Sequence, residues 1–166
     1  MFERLTTREE TLIFKLGAAL TMERTVLVML AEFEQHAQRD DLRELFRRHT
    51  DETRSHIANI EKSFQLLGED VIGTDSPAIE GLQQETSAAI GRADGSVVDA
   101  LIAVGVVETE HHEIGVYESL VTKAEARGAD KVVRLLAQNL RQEEAALEKA
   151  KAISKAIERD GMAFSV

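Results

Sequence analysis

The sequence predicts an all-α protein, a bundle of four long helices with a long helical crossover between the second and third. Three observations carry this expectation. Apolar residues recur at helical spacing in four stretches, and no stretch sustains the period-two alternation of a strand. Turn formers are also scarce, with 10 Gly and 1 Pro in 166 residues.

A capping box at Thr6-Thr7-Arg8-Glu9 opens the first helix, with Thr6 as the cap and Glu9 reaching back. Its stripe contains Leu12, Leu16, Ala19, Leu20, Val26, Leu27, Leu30 and Phe33. Asp40 or Asp41 starts the second, which carries Leu42, Leu45, Phe46, Ile57, Ile60, Phe64 and Leu67. Gly68 ends it as a left-handed C-terminal glycine. Ser96, with Asp99 three residues later, opens the third helix, which runs to Gly128. Asp130 opens the fourth, which runs to about Arg159 ahead of Gly161.

Short joints near Arg39 and Gly128 make each pair an antiparallel hairpin. Between the pairs, Gly68 to Gly95 is far longer than a usual bundle connection. It holds a short helix capped by Ser76, with Pro77 in its first turn and Ile79, Leu82, Thr86 and Ile90 following. A connector of that length can travel the whole bundle, which is the topology of ferritin-like bundles. One domain over residues 1–166 is expected.

Composition narrows the function. A formal charge of -10 and a pI near 5.0 argue against tracking nucleic-acid phosphates. Cys is absent, which removes disulfides, thiolate metal sites and thiol catalysis. Charge interrupts every apolar run, so no membrane span is expected. Met1-Phe2-Glu3-Arg4 opens no signal pattern, so the expected compartment is the cytoplasm.

The chemistry lies in glutamates that interrupt the apolar stripes. Projected at 100° per residue, Glu23 falls mid-stripe in the first helix, Glu110 and Glu113 in the third, and Glu143 in the fourth. On the second helix Thr53 is nearest the centre, His49 and His56 flank it, and Glu52 lies at the edge. Counted from the joints, Glu23, Glu52, His56, Glu110, Glu113 and Glu143 all lie about 13 to 18 residues away, so they meet at one level. One such glutamate is ordinarily a surface residue on a misjudged helix face, but four at a common depth are not. Buried alone, each charge costs many kcal/mol, and Arg24, Arg54, Lys123 and Arg141 project elsewhere. Two metal ions bridged by shared carboxylates satisfy the group, with Glu23, Glu52, His56, Glu110, Glu113 and Glu143 as ligands.

His49 reads as an edge or outer histidine, and Tyr117 either as a partner of a ligand or as a plain core tyrosine. Glu108 and His111 have the Glu-x-x-His spacing of di-iron helices, but both project opposite the Glu110/Glu113 row.

The chain resembles the YciF-like proteins, a bacterial ferritin-like family of unknown function associated with stress. The resemblance is carried by Met22-Glu23, His49-x-x-Glu52-Thr53-x-x-His56, Ala78-x-x-Gly81-Leu82-x-x-Glu85, Asp99-Ala100-Leu101-Ile102, Glu110-His111-x-Glu113-Ile114-x-x-Tyr117 and Leu140-x-x-Glu143. It implies a four-helix bundle with a helical crossover, a dinuclear metal site and dimers, and it supplies no reaction. Unlike ferritins, the fourth helix follows Glu143 with Ala146 and offers no histidine.

Such a carboxylate-rich site favours iron or manganese and is also compatible with zinc. The expected function is iron or manganese handling, or oxygen and peroxide chemistry, under stress. The alternative is a non-catalytic dimerisation or binding module with a structural metal. A homodimer is expected in either case, because Phe14, Val28 and Met29 lie off the first helix's core stripe.

Overall fold

The computed structural model describes residues 4–163. Met1-Phe2-Glu3, most of the segment read as lacking a signal pattern, lies outside the described residues, as do residues 164–166 and both limits of the expected 1–166 domain. The described residues form helices α1 (Arg8–His36), α2 (Asp40–Leu67), α3 (Pro77–Ile90), α4 (Val98–Ala126) and α5 (Asp130–Ala163), with no strand among them. The fold is the expected four-helix bundle, with α3 as the helix of the crossover. No helix among the described residues is long and apolar enough to cross a membrane.

The helix ends follow local chemistry, with three departures from expectation. The capping box forms one residue later than read: Glu10 N–H donates to Thr7 Oγ1 at 3.1 Å, and Glu10 Oε2 accepts from Thr7 N at 3.0 Å. The Thr6-Thr7 and Glu9-Glu10 doublets offer the box in two registers, and the extended residue is Thr7. Asp99 does not work with Ser96 as a cap. Its carboxylate accepts from Gln38 N at 2.8 Å and Arg39 N at 3.0 Å, satisfying donors at the α1–α2 joint. Helix α5 runs past Arg159 and through Gly161 to Ala163, while Asp160 pairs with Arg39 at 2.7 Å. Gly68 and Gly128 take the left-handed conformation, with φ of 77° and 69°.

Contacts at the two ends set the topology. Asp99 places the start of α4 beside the α1–α2 joint, and an ion pair between Arg127 and Glu9 places its end beside the start of α1. Helix α4 is therefore antiparallel to α1, giving an up-down-down-up bundle. The crossover climbs along α1, with Thr74 Oγ1 donating to Phe14 O at 2.9 Å and Ser87 Oγ to Glu32 Oε2 at 2.7 Å.

Helix α3 packs on α1 and α4, and α1 buries more than one narrow stripe. Met29, read as a dimer contact, is instead in the core, whereas Val28 (57% exposed) and Phe14 (40%) stay at the surface. Two glycines permit the crossover to approach. A Cβ on Gly105 would meet the side chain of Thr86 on α3, and one on Gly17 would lie 2.7 Å from the backbone oxygen of Ile72. Gly17→Ala is expected to lower stability by about 1–3 kcal/mol, despite alanine's better helix propensity. Thermal denaturation checks this, and an unchanged or higher melting temperature would count against the close approach.

Candidate metal centre

Four helices deliver polar side chains to one level of an otherwise apolar core. Helix α1 contributes Glu23, α2 contributes His49 and His56, α4 contributes Glu110 and Glu113, and α5 contributes Glu143; all are buried. Their ligand-capable atoms form two groups, each within 4.8 Å. One comprises His49, Glu110, Glu113 and Glu143, the other Glu23, His56 and Glu143. Glu143 belongs to both. His49 Nε2 lies 3.2 Å from Glu110 and 3.4 Å from Glu143, and His56 Nδ1 lies 2.9 Å from Glu143 and 3.5 Å from Glu23.

The far side of each imidazole is held. His56 Nε2 is 3.0 Å from Gln142 Oε1, which assigns the ring proton to Nε2 and leaves Nδ1 facing the carboxylates. His49 Nδ1 is 3.4 Å from Glu52 Oε2, which likewise leaves its Nε2 facing inward. Tyr117 OH donates to Glu23. Asn139 Nδ2 in turn donates to Tyr117 OH at 3.0 Å and to His56 O at 3.3 Å, and Asn59 donates to Asn139 Oδ1 at 2.7 Å. Glu52 falls outside both groups. It is partly exposed and accepts from Arg48 Nε at 2.9 Å.

Several buried atoms of the cluster nevertheless have no aligned hydrogen-bond partner. They are Glu23 Oε2, His49 Nε2, His56 Nδ1, Glu110 Oε2 and both oxygens of Glu113 and of Glu143. Among the described residues, the four buried glutamates pair with no Lys or Arg; the only cationic groups near them are the two imidazoles. Without a cation, protons must neutralise such a site. Burial pushes Glu110 up to about 8 against the pull of His49. Burial, then the charges of Glu143, Glu23 and Glu110, hold Glu113 well above the carboxylate range. Glu23 is also raised by burial, although the facing His56 opposes the rise. Burial opposes charge on the imidazoles, but the facing carboxylates prevail and raise His49 to about 9 and His56 to about 10. Glu52, bonded by His49 and Arg48, is lowered to about 2. Converging oxygen and nitrogen donors without aligned partners, and with no Lys or Arg among them, fit divalent metal ions.

A family described as a domain of unknown function (DUF892) matches residues 7–162. The chain belongs to the DUF892 family. It is 28% identical over 141 residues to protein YciF of Escherichia coli strain K12, covering 84% of this chain and 85% of that protein. The crystal structure of the E. coli stress protein YciF superposes with a TM-score of 0.88 at 25% identity, over 93% of this chain and 99% of that one. YcfI from Rhodopseudomonas palustris gives 0.87 at 33% identity, over 91% and 98%. A Xanthomonas campestris protein at 21% identity, with a TM-score of 0.76, shares the fold. The YciF-like resemblance read from the motifs is thus shown for this DUF892 chain.

Glu23, His56, Glu110, Glu113 and Glu143 are brought together, and Glu52 stands one layer out. His49 is no edge residue. Helix α2 buries Leu42, Phe46, His49, Thr53, His56, Ile60 and Phe64 at steps of three and four, so both histidines sit on its inner row, two turns apart. In this DUF892 bundle α2 alone supplies both imidazoles, so α5 needs none. Asn139 and Gln142 were missed, although Asn139 stands one turn before Glu143 in an apolar row. Glu108 and His111 are exposed, as their projection required.

Proposed function

We propose that the chain is a dinuclear metal protein handling iron or manganese, with dioxygen or peroxide as the small molecules it acts on. The observation that carries this reading is the set of unpartnered donors from four helices with Glu143 common to both groups. His49, Glu110, Glu113 and Glu143 would hold one ion, and His56, Glu23 and Glu143 the other. Glu52 would orient His49 rather than ligate. Four carboxylates balance two divalent cations with both imidazoles neutral, so the buried site is charge-neutral when filled.

Bound there, iron or manganese supplies redox chemistry towards dioxygen or peroxide. The chain's own residues fix the ligands, and the apolar layers around them exclude bulk water. Tyr117 holds the Glu23 carboxylate, and Gln142 holds the His56 ring. The burial of the donors limits any reactant to a very small molecule.

Elemental analysis of the purified protein, followed by oxygen and peroxide consumption after anaerobic ferrous loading, tests this. About two ions per chain with faster consumption than free ferrous ion is the expected result. Full occupancy with no consumption would favour the second reading, a dimerisation module with a structural metal. Exposed Val28 and Phe14 supply the apolar surface for a homodimer in both readings. Sedimentation showing only an 18.4 kDa species at micromolar concentration would remove the dimer.

A further inference from the structure

We propose that metal ions reach the centre from the groove between α2 and α5, with Arg48 as its gate and Glu52 as the carboxylate that passes them on to His49. This rests on the metal reading above and adds the route by which that site is filled. The groove, about 310 Å3, is lined by Asp41, Glu44 and Arg48 on α2 and by Lys149 and Ile153 on α5. Arg48 Nε donates to Glu52 Oε1 at 2.9 Å, the other Glu52 oxygen lies 3.4 Å from His49 Nδ1, and His49 Nε2 faces Glu110 and Glu143. One chain of contacts therefore joins the groove to the buried donors. Side-chain exposure falls along it, from 62% at Arg48 to 18% at Glu52 and 2% at His49.

A divalent ion leaving water needs a negative partner at each step, because stripping its hydration otherwise costs many kcal/mol. Glu52 is that partner halfway in. Two other half-buried side chains that lead outward from the cluster, Gln142 and Asn59, are neutral amides. At the mouth Glu44 attracts cations, Asp41 is already paired with Arg39, and Lys149 and Arg48 oppose them. Arg48 also neutralises Glu52, so its guanidinium must swing aside before an ion can take its place. It is a surface side chain free to do so.

The test mixes metal-free full-length protein with cobalt(II), whose visible absorbance reports protein ligation, in a stopped-flow instrument. Arg48→Ala is expected to load about tenfold faster than wild type, and Glu44→Lys slower by a similar factor, each reaching the wild-type number of ions per chain. Lys15→Ala, at the separate cavity bounded by Phe14, Lys15 and His112, is expected to load at the wild-type rate. Unchanged rates in both groove variants, or a change only in Lys15→Ala, would overturn the route while leaving the centre intact. Loss of cobalt occupancy in Arg48→Ala would also overturn it, by making the Arg48–Glu52 pair part of what holds the ions. Failure of wild type to bind cobalt at equilibrium would instead defeat the metal reading, and the route with it.

Discussion

Filling the metal-free protein with divalent ions at pH 7 is expected to raise its melting temperature by about 10 °C and to release at least three protons per chain. The first figure follows from mass action. Free metal at a thousand times its dissociation constant adds about 4 kcal/mol, and each kcal/mol moves a domain of this size by about 2–4 °C. The second follows from the metal-free site. His49 near 9, His56 near 10 and Glu110 near 8 hold three protons at pH 7 that ligation removes, and Glu113 and Glu23, both raised by burial, add to the release.

The sign of the pH dependence is fixed by the same groups. For Glu110, a folded-state value above the unfolded one gives stability that is full below about pH 4.5 and lost as pH rises through about 8. For the imidazoles it is full below about 6.5 and lost through about 9 and 10. Glu52 acts oppositely, contributing stability that is lost only as pH falls towards 2. The metal-free protein should therefore be less stable at pH 9 than at pH 5, and the gap to the loaded form should widen with pH. Calorimetric melting at both pH values, with titrations in two buffers of different ionisation enthalpy, measures these quantities. An unchanged melting temperature on chelation, or metal uptake without proton release, would contradict the centre.

The bundle was legible because its signals are local. Stripes at helical spacing, two short joints and one long connector are sufficient for the fold, and Gly68 and Gly128 mark helix ends by conformational need. Cap registers were less legible, since Thr6-Thr7 and Glu9-Glu10 offer two equivalent boxes and only the backbone chooses between them. Asp99 reads as a partner of Ser96 at the start of its own helix, because its actual partners lie 61 and 60 residues away.

In the candidate site, glutamates in apolar rows were conspicuous, whereas the histidines of α2 were ambiguous. A rotation of a few tens of degrees decides whether His49 or Glu52 points inward, and the neighbouring helices set that rotation. Met29 was misread for a related reason: α1 buries more than one stripe, and a single-stripe projection assigns the extra buried positions to an outer surface.

Glu143 is the residue on which both groups depend, so Glu143→Ala is expected to take occupancy from about two ions per chain to almost none. Glu113→Gln should be graded instead: it touches only the group of His49, Glu110 and Glu143, and the ion beside His56 should survive. Glu108→Ala, on the outer face, should keep the full complement. Stability should move the other way when no metal is present. Both oxygens of Glu113 lack a partner in a fully buried site, and Glu143, Glu23 and Glu110 all raise its proton affinity. Replacing it with a neutral side chain of the same shape removes a charge that the fold must otherwise suppress, with almost no cavity left behind. The metal-free Glu113→Gln protein should therefore melt several degrees above metal-free wild type at pH 9, where one kcal/mol is worth about 2–4 °C, and the difference should shrink towards pH 5 as the unfolded chain's Glu113 nears its ordinary value of 4.5 and the advantage of ionising it on unfolding fades. Elemental analysis and melting curves at the two pH values read both effects from one set of preparations. A Glu113→Gln protein that keeps both ions, or that melts below wild type at pH 9 without metal, would show that Glu113 is a satisfied core residue and not a ligand held in reserve.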